Sequence, residues 1–167
     1  AALRETKSTT TTDVLAVAQA LVARGYTRPE KTIFTGMSNG AQPAGMALVM
    51  RPQQFGVVVY NVGQPDDLRG ALIDPTAARN LGELGDTQTS VGVELLLRNS
   101  PYYQLPEKLA LPTVLVKSAP DDYNYGSAAT TAKYVARLQA TNSGDNPVIW
   151  IHQTGGHSWL FDENPER

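Results

Sequence analysis

The stretch from Lys31 to Met50 constrains this chain more than any other. Ile33, Phe34 and Thr35 are β-branched or aromatic and read as a short strand. Gly36-Met37-Ser38-Asn39-Gly40 follows in a Gly-x-Ser-x-Gly pattern, and Ala41 to Met50 is an apolar, helix-forming run. Pro43 falls in the first helical turn, where proline is tolerated. Strand, sharp turn and helix together form the context in which such a serine is raised above a sheet edge on a strained backbone. Glycines two before and two after it leave room for strand and helix to pass closely. A helix that starts at the serine aims free N–H groups and its positive end at any oxyanion formed there. The same five residues also occur by chance as a plain βα turn, so the rest of the chain decides their meaning.

That rest alternates. Val14, Val17, Ala18, Leu21 and Val22 recur every three or four residues and predict a helix from Thr12, capped by Thr12 or Asp13 and ended by Gly25. Phe55–Val62 is a continuous apolar run, as in a parallel strand covered on both faces. Residues 63–90 are irregular, with one helical turn expected at 75–81, and a connection of this length points to a functional loop or a cap. Val91–Arg98 reads as a short helix, Ser100–Tyr103 as a turn and Leu111–Ser118 as a third strand. A helix is expected from Ser127 to Thr141, a fourth strand at Val148–His152 and the start of a last helix at Trp159–Phe161. The alternation predicts an α/β fold: a parallel sheet with helices on both faces.

Composition narrows the chemistry. With 167 residues, 41% hydrophobic and 18% charged, the chain can bury one real core. A net charge of −2 without a basic tract argues against nucleic acid as a partner. Its apolar runs are too short to span a bilayer as a helix. Zero Cys excludes thiol catalysis, disulfides and cysteine–zinc sites, and leaves the compartment open: cytoplasmic, periplasmic or secreted. The start at Ala1-Ala2, with no secretory pattern, reads as a processing or cloning boundary.

In parallel α/β sheets, sites form at the carboxyl ends of strands. Ser38, the pair Asp121-Asp122 and His157 each follow an expected strand closely, so the fold would bring them to one rim. Their chain order, Ser then Asp then His, is that of α/β-hydrolases. Ser38 would attack an acyl carbon, His157 would take and return the proton, and an aspartate would orient the imidazole. There are only two histidines, and the other, His152, lies within the fourth strand and reads as structural. Asp121 and Asp122 compete for the acid role, with Asp66 and Asp67 as second choice. This chemistry needs no metal and no cofactor.

Several of these residues carry a resemblance. Gly36–Gly40, the approach Arg24–Lys31, Glu83-Leu84-Gly85, Ser100-Pro101-Tyr102, the run Pro112–Val116 before Asp121-Asp122, and Gly156-His157 resemble motifs of the prolyl oligopeptidase family of serine peptidases. The resemblance covers most of the chain and implies the C-terminal half of an α/β-hydrolase domain, about four parallel strands with flanking helices. It implies Ser38, Asp121 and His157 as triad, Asp122 as the alternative acid, and the Asn39 backbone N–H as one oxyanion donor. It implies a peptidase cleaving short peptides through an acyl-enzyme. An esterase of the same fold, acting on small esters, and a non-catalytic hydrolase-like fragment are the alternatives. Met37 and Ala41 stand where the family has glycines, Tyr123 follows the paired aspartates in place of arginine, and Asn80 falls near the tryptophan of proline-specific members. The resemblance further implies one partial domain over 1–167. Earlier strands, a second oxyanion donor and a β-propeller would then lie in an N-terminal portion supplied by a separate chain or fragment. Without that portion the chain is expected to be inactive or poorly soluble.

Overall fold

The computed structural model describes residues 6–73, 83–119, 128–152 and 157. Its strands are β1 (Ile33–Met37), β2 (Val57–Asn61), β3 (Thr113–Ser118) and β4 (Val148–His152). They form one parallel sheet in the order β1-β2-β3-β4. The helices are α1 (Ser8–Ala23), α2 (Ala41–Met50), α3 (Asp67–Ile73), α4 (Ser90–Asn99), the single turn α5 (Pro101–Gln104) and α6 (Ala128–Thr141). Parallel strands need long crossovers, and α2 and α6 each supply one.

The strand registers set two faces. Phe34, Val58, Val114 and Val148 stand in one row, and Gly36, Tyr60, Val116 and Trp150 in the next row of the same face. This face carries the core. Val58, Tyr60, Val114 and Val116 are fully buried against Ala41, Ala44, Ala47 and Leu48 of α2 and Tyr134, Val135 and Leu138 of α6. Fully burying one such aliphatic side chain is worth about 1.5–3 kcal/mol. The small side chains of α2 let its neighbours close in. A Cβ on Gly45 would sit 2.7 Å from Pro101, the residue that opens α5.

The opposite face was expected to carry helices as well. There Thr35 and Ile149 are exposed, and Val57, Val59 and Leu115 are only half-buried among the described residues. The described helices contributing to the core, α1, α2 and α6, all meet one cluster.

Other expectations shift with the structure. α1 starts at Ser8, four positions before the expected Thr12, and no side chain caps it. Its buried stripe is Thr11, Leu15 and Ala18, while Val17 and Leu21 stand 60% and 41% exposed. The helix has two adjacent apolar stripes, and contact with α2 chooses one of them. Gly25 does end it. At φ 75 it permits the paired bonds Gly25 N–H to Val22 O and Tyr26 N–H to Leu21 O, a Schellman motif. β2 is trimmed to Val57–Asn61 and β3 to Thr113–Ser118, whereas β4 has its expected bounds. α3 arises where irregular chain was expected, because the Asp66 carboxylate accepts the Arg69 N–H at 3.0 Å and caps it. Ser100–Tyr103, expected as a turn, belongs to a full helical turn with Pro101 at its first position. The expected elements at 75–81 and 159–161 lie outside the described residues.

Candidate active site

β1 is extended through Met37, at φ −125 and ψ 144, and the chain then turns abruptly. Ser38 has φ 55, in the left-handed region. A side-chain-bearing residue there costs roughly 1–2 kcal/mol, so surrounding structure must hold it. The hold is visible on both sides. The Ala41 N–H donates to the Ser38 carbonyl, closing the helical turn Ser38–Gly40 that runs directly into α2. On the strand side, a Cβ on Gly36 would fall 2.2 Å from the Gly40 carbonyl oxygen and 2.8 Å from the Ala44 Cβ. Only glycine at 36 lets β1 and α2 cross this closely. Gly40, expected to serve the same purpose, does not. It has an ordinary φ of −73, and a Cβ there would meet nothing within 4 Å. The steric demand of the motif rests on its first glycine.

This turn places the Ser38 side chain, half-buried, at the start of a helix. The first N–H groups of a helix lack intrahelical acceptors, so the amide of Asn39 is a ready donor to an oxygen near Ser38.

The next strand ends in the same way. Met37 and Asn61 are register partners, and Val62, just beyond, has φ 41. It is fully buried, and its N–H donates to the Lys117 carbonyl at 2.9 Å. A β-branched residue in this region is a true outlier. Two strained residues thus stand side by side at the carboxyl rim of β1 and β2. Nothing in the sequence marked Val62, which reads as the last residue of an apolar strand. Gly63 then passes so close to Ala41 that a Cβ on it would lie 2.4 Å from the Ala41 methyl. Ala41 of the motif is accommodated by that glycine.

Asp66 and Asp67, the second-choice acids, have other duties. Asp66 is fully buried; its Oδ2 takes a 2.8 Å ion pair from Lys133 Nζ while its Oδ1 caps α3. The Asp67 carboxyl is pushed up to about 8, first by burial and then by the Asp66 charge, against the opposing effects of Ser100 and Lys7. Its side-chain partner is the Ser100 hydroxyl at 3.3 Å, whose single hydrogen goes to the nearer Leu96 O at 2.6 Å. A carboxyl that stays neutral at pH 7 is a poor counter-ion for an imidazolium. Beside it, Tyr60 and Tyr134 pack with ring centroids 5.2 Å apart, and burial raises the pKa of both hydroxyls.

Of the remaining sequence candidates, His157 is described by itself, as a half-buried turn residue five positions after β4. Asp121 and Asp122 lie outside the described residues. His152 closes β4 with its ring against Ser118.

Comparison with known proteins extends this geometry. A sequence model of the prolyl oligopeptidase family matches residues 1–166. The uncharacterized peptidase y4qF of Sinorhizobium fredii is 31% identical over 164 residues, 95% of this chain and 21% of that protein. The dipeptidyl aminopeptidase BI of Pseudoxanthomonas mexicana is 30% identical over 168 residues, 96% of this chain and 23% of that protein. Among solved structures, a chain from a study of two prolyl endopeptidases superposes with a TM-score of 0.86 at 25% identity, covering 93% of this chain and 23% of that one. The chain therefore spans about a fifth of the length of the relatives it matches. The four parallel strands and their helices are a part of an α/β-hydrolase fold.

Proposed function

The chain belongs to the prolyl oligopeptidase family, and on that premise we propose that it carries the acyl-transfer machinery of a serine peptidase. Ser38 is the nucleophile. His157 removes the hydroxyl proton as Oγ attacks the substrate carbonyl and returns it to the leaving amine. Asp121 holds the imidazole in the right tautomer, with Asp122 as the alternative. The Asn39 N–H donates one hydrogen bond to the oxyanion as charge develops. Water then releases the acyl group by the same steps in reverse order. The single observation that carries this reading is the φ of 55 at Ser38, strain maintained between a β-strand and a helix N-terminus. Strain of this kind concentrates at functional sites.

Short peptides are the substrates this reading favours, since the named relatives are peptidases. The rest of the polypeptide completes the site. β1 has no partner on its outer edge among the described residues, and Ile33 on it is 63% exposed. An open parallel edge invites pairing, and further strands from an N-terminal portion fit it.

The test is covalent. A fluorophosphonate probe should label the polypeptide as its source organism makes it, and the label should vanish in Ser38→Ala. Labelling that survives this substitution refutes the assignment. A panel of peptide 4-nitroanilides against 4-nitrophenyl esters then decides between peptidase and esterase.

A further inference from the structure

Ser118 ends β3, His152 ends β4, and they are the last register pair of that ladder. Their side chains meet as well. Ser118 Oγ lies 3.1 Å from His152 Nδ1. Trp150, two residues earlier on the same face of β4, donates its indole Nε1–H to the same hydroxyl at 2.8 Å. Its ring stands edge-on to the imidazole, with centroids 5.4 Å apart. An indole N–H only donates, so Ser118 Oγ accepts from Trp150 and has its own hydrogen to give to Nδ1. With the neutral imidazole protonated at Nε2, Nδ1 accepts that hydrogen.

A serine and a histidine at this distance also have the geometry of nucleophile and base. Here that role fails. Ser118 is 1% exposed, beyond the reach of a substrate carbonyl, and one of its lone pairs is taken by Trp150.

The cluster's place in the fold suggests another use. We propose that Ser118, gripped by Trp150 and His152, is a positioning residue for the reaction assigned to Ser38. The inference rests on that assignment. Asp121 follows Ser118 by three positions, and His157 follows His152 by five. Among the described residues the Ser118–His152 pair is the last of the ladder. The side-chain clasp ties the two strands together at this last described pair before Asp121 and His157 in the chain. Misplacing such a group by 1 Å can cost about 10²-fold in rate. Loosening the clasp should cost less, and should affect turnover rather than ground-state binding.

The experiment uses the polypeptide as its source organism makes it, with 4-nitrophenyl acetate as substrate. Ser118→Ala should lower kcat roughly 10-fold and leave KM within about twofold, and Ser118→Thr, which keeps the hydroxyl, should restore kcat. Nitrogen-15 NMR, at a pH where imidazole is neutral, should show the His152 Nδ1 resonance moving in Ser118→Ala, as that nitrogen loses its hydrogen bond, and staying at the parental position in Ser118→Thr. An unchanged kcat, a threonine variant no better than alanine, or an unchanged Nδ1 resonance overturns the proposal. Should Ser118→Ala fail to fold, His152→Ala, at an exposed position, faces the same criteria on kcat and KM. Ser38→Ala runs alongside. If it leaves turnover intact, the nucleophile assignment fails and the inference with it. If it abolishes turnover while Ser118→Ala does not lower it, only the clasp is lost.

Discussion

Lys133→Met is the perturbation whose outcome the structure constrains most. Lys133 Nζ sits 2.8 Å from Asp66 Oδ2, with the carboxylate side chain 0% exposed and the lysine side chain 36% exposed. The same ammonium lies 4.0 Å from the Tyr102 ring centroid. Removing it leaves a buried carboxylate that keeps, among the described residues, the hydrogen bond from the Arg69 N–H. Breaking a fully buried pair from one side costs about 3–5 kcal/mol. Solvent reaches the lysine and screens the pair, so the cost falls below that range, to about 2–3 kcal/mol, with about 0.5–1 kcal/mol more for the lost cation–π contact. A total near 3 kcal/mol should lower Tm by about 6–12 °C for a domain of this size. Asp66→Asn removes the charge that needs the lysine. The double variant should therefore lose clearly less than the sum of the singles, by about 1.5–3 kcal/mol. Urea unfolding followed by far-UV circular dichroism gives all four corners of the cycle. pH supplies a further check. Burial alone would lower the Lys133 pKa, but the hydrogen bond and charge of Asp66 raise it overall. A raised folded pKa means that the pair's contribution is fully present below the unfolded lysine value and fades only as pH climbs through the folded one. The deficit of Lys133→Met should thus be flat from neutral pH to mild alkali. A loss below about 1 kcal/mol, or strict additivity in the cycle, refutes the reasoning.

Gly36→Ala should open the serine turn, because its Cβ would lie 2.2 Å from a backbone oxygen. A loss of about 3 kcal/mol or more, together with the loss of probe labelling, is expected, whereas Gly40→Ala should stay within about 0.5 kcal/mol in urea unfolding. Ser38→Gly should be more stable than Ser38→Ala by about 1 kcal/mol, since glycine relieves the positive φ, and both should be unreactive toward the probe. Asp67 is raised from 3.8 to about 8, so the native state holds a proton that the unfolded chain releases between these values. Stability of the parent should therefore fall as pH rises from about 4 to about 8. Asp67→Asn should flatten that slope, and an unchanged slope in thermal melts would show that another group sets it.

Much of the fold was readable because the signals were local. Ile33–Thr35, the first three residues of β1, the serine turn and α2 were legible from residue types alone, since β-branched residues, glycine and a run of alanines each act through their own backbone preferences, while the strand runs on through Met37. β4 was bounded correctly because Pro147 and the Gly155-Gly156 pair bracket it. α3 was missed, although Asp66 followed by Asp67 is a capping signal, because seven residues of helix are marginal without the tertiary bonds of Asp66 to Lys133 and Asp67 to Ser100. In the candidate site, Ser38 was legible and Val62 was not. The serine sits in a glycine-bracketed motif, while the strain at Val62 comes from its neighbours: the Lys117 carbonyl that takes its N–H and the crowding of Gly63 on Ala41.

The amino-acid sequence by itself determined the order of the four strands and of α1, α2, α4 and α6, the serine turn and the family, because each follows from short-range steric preference and from motifs a few residues long. Only the tertiary structure decided which stripe of α1 is buried, that Gly36 rather than Gly40 is the indispensable glycine, and that Ser118, Trp150 and His152 lock together. These outcomes depend on contacts between residues distant in the chain, and pairwise packing distances are written nowhere in a one-dimensional pattern.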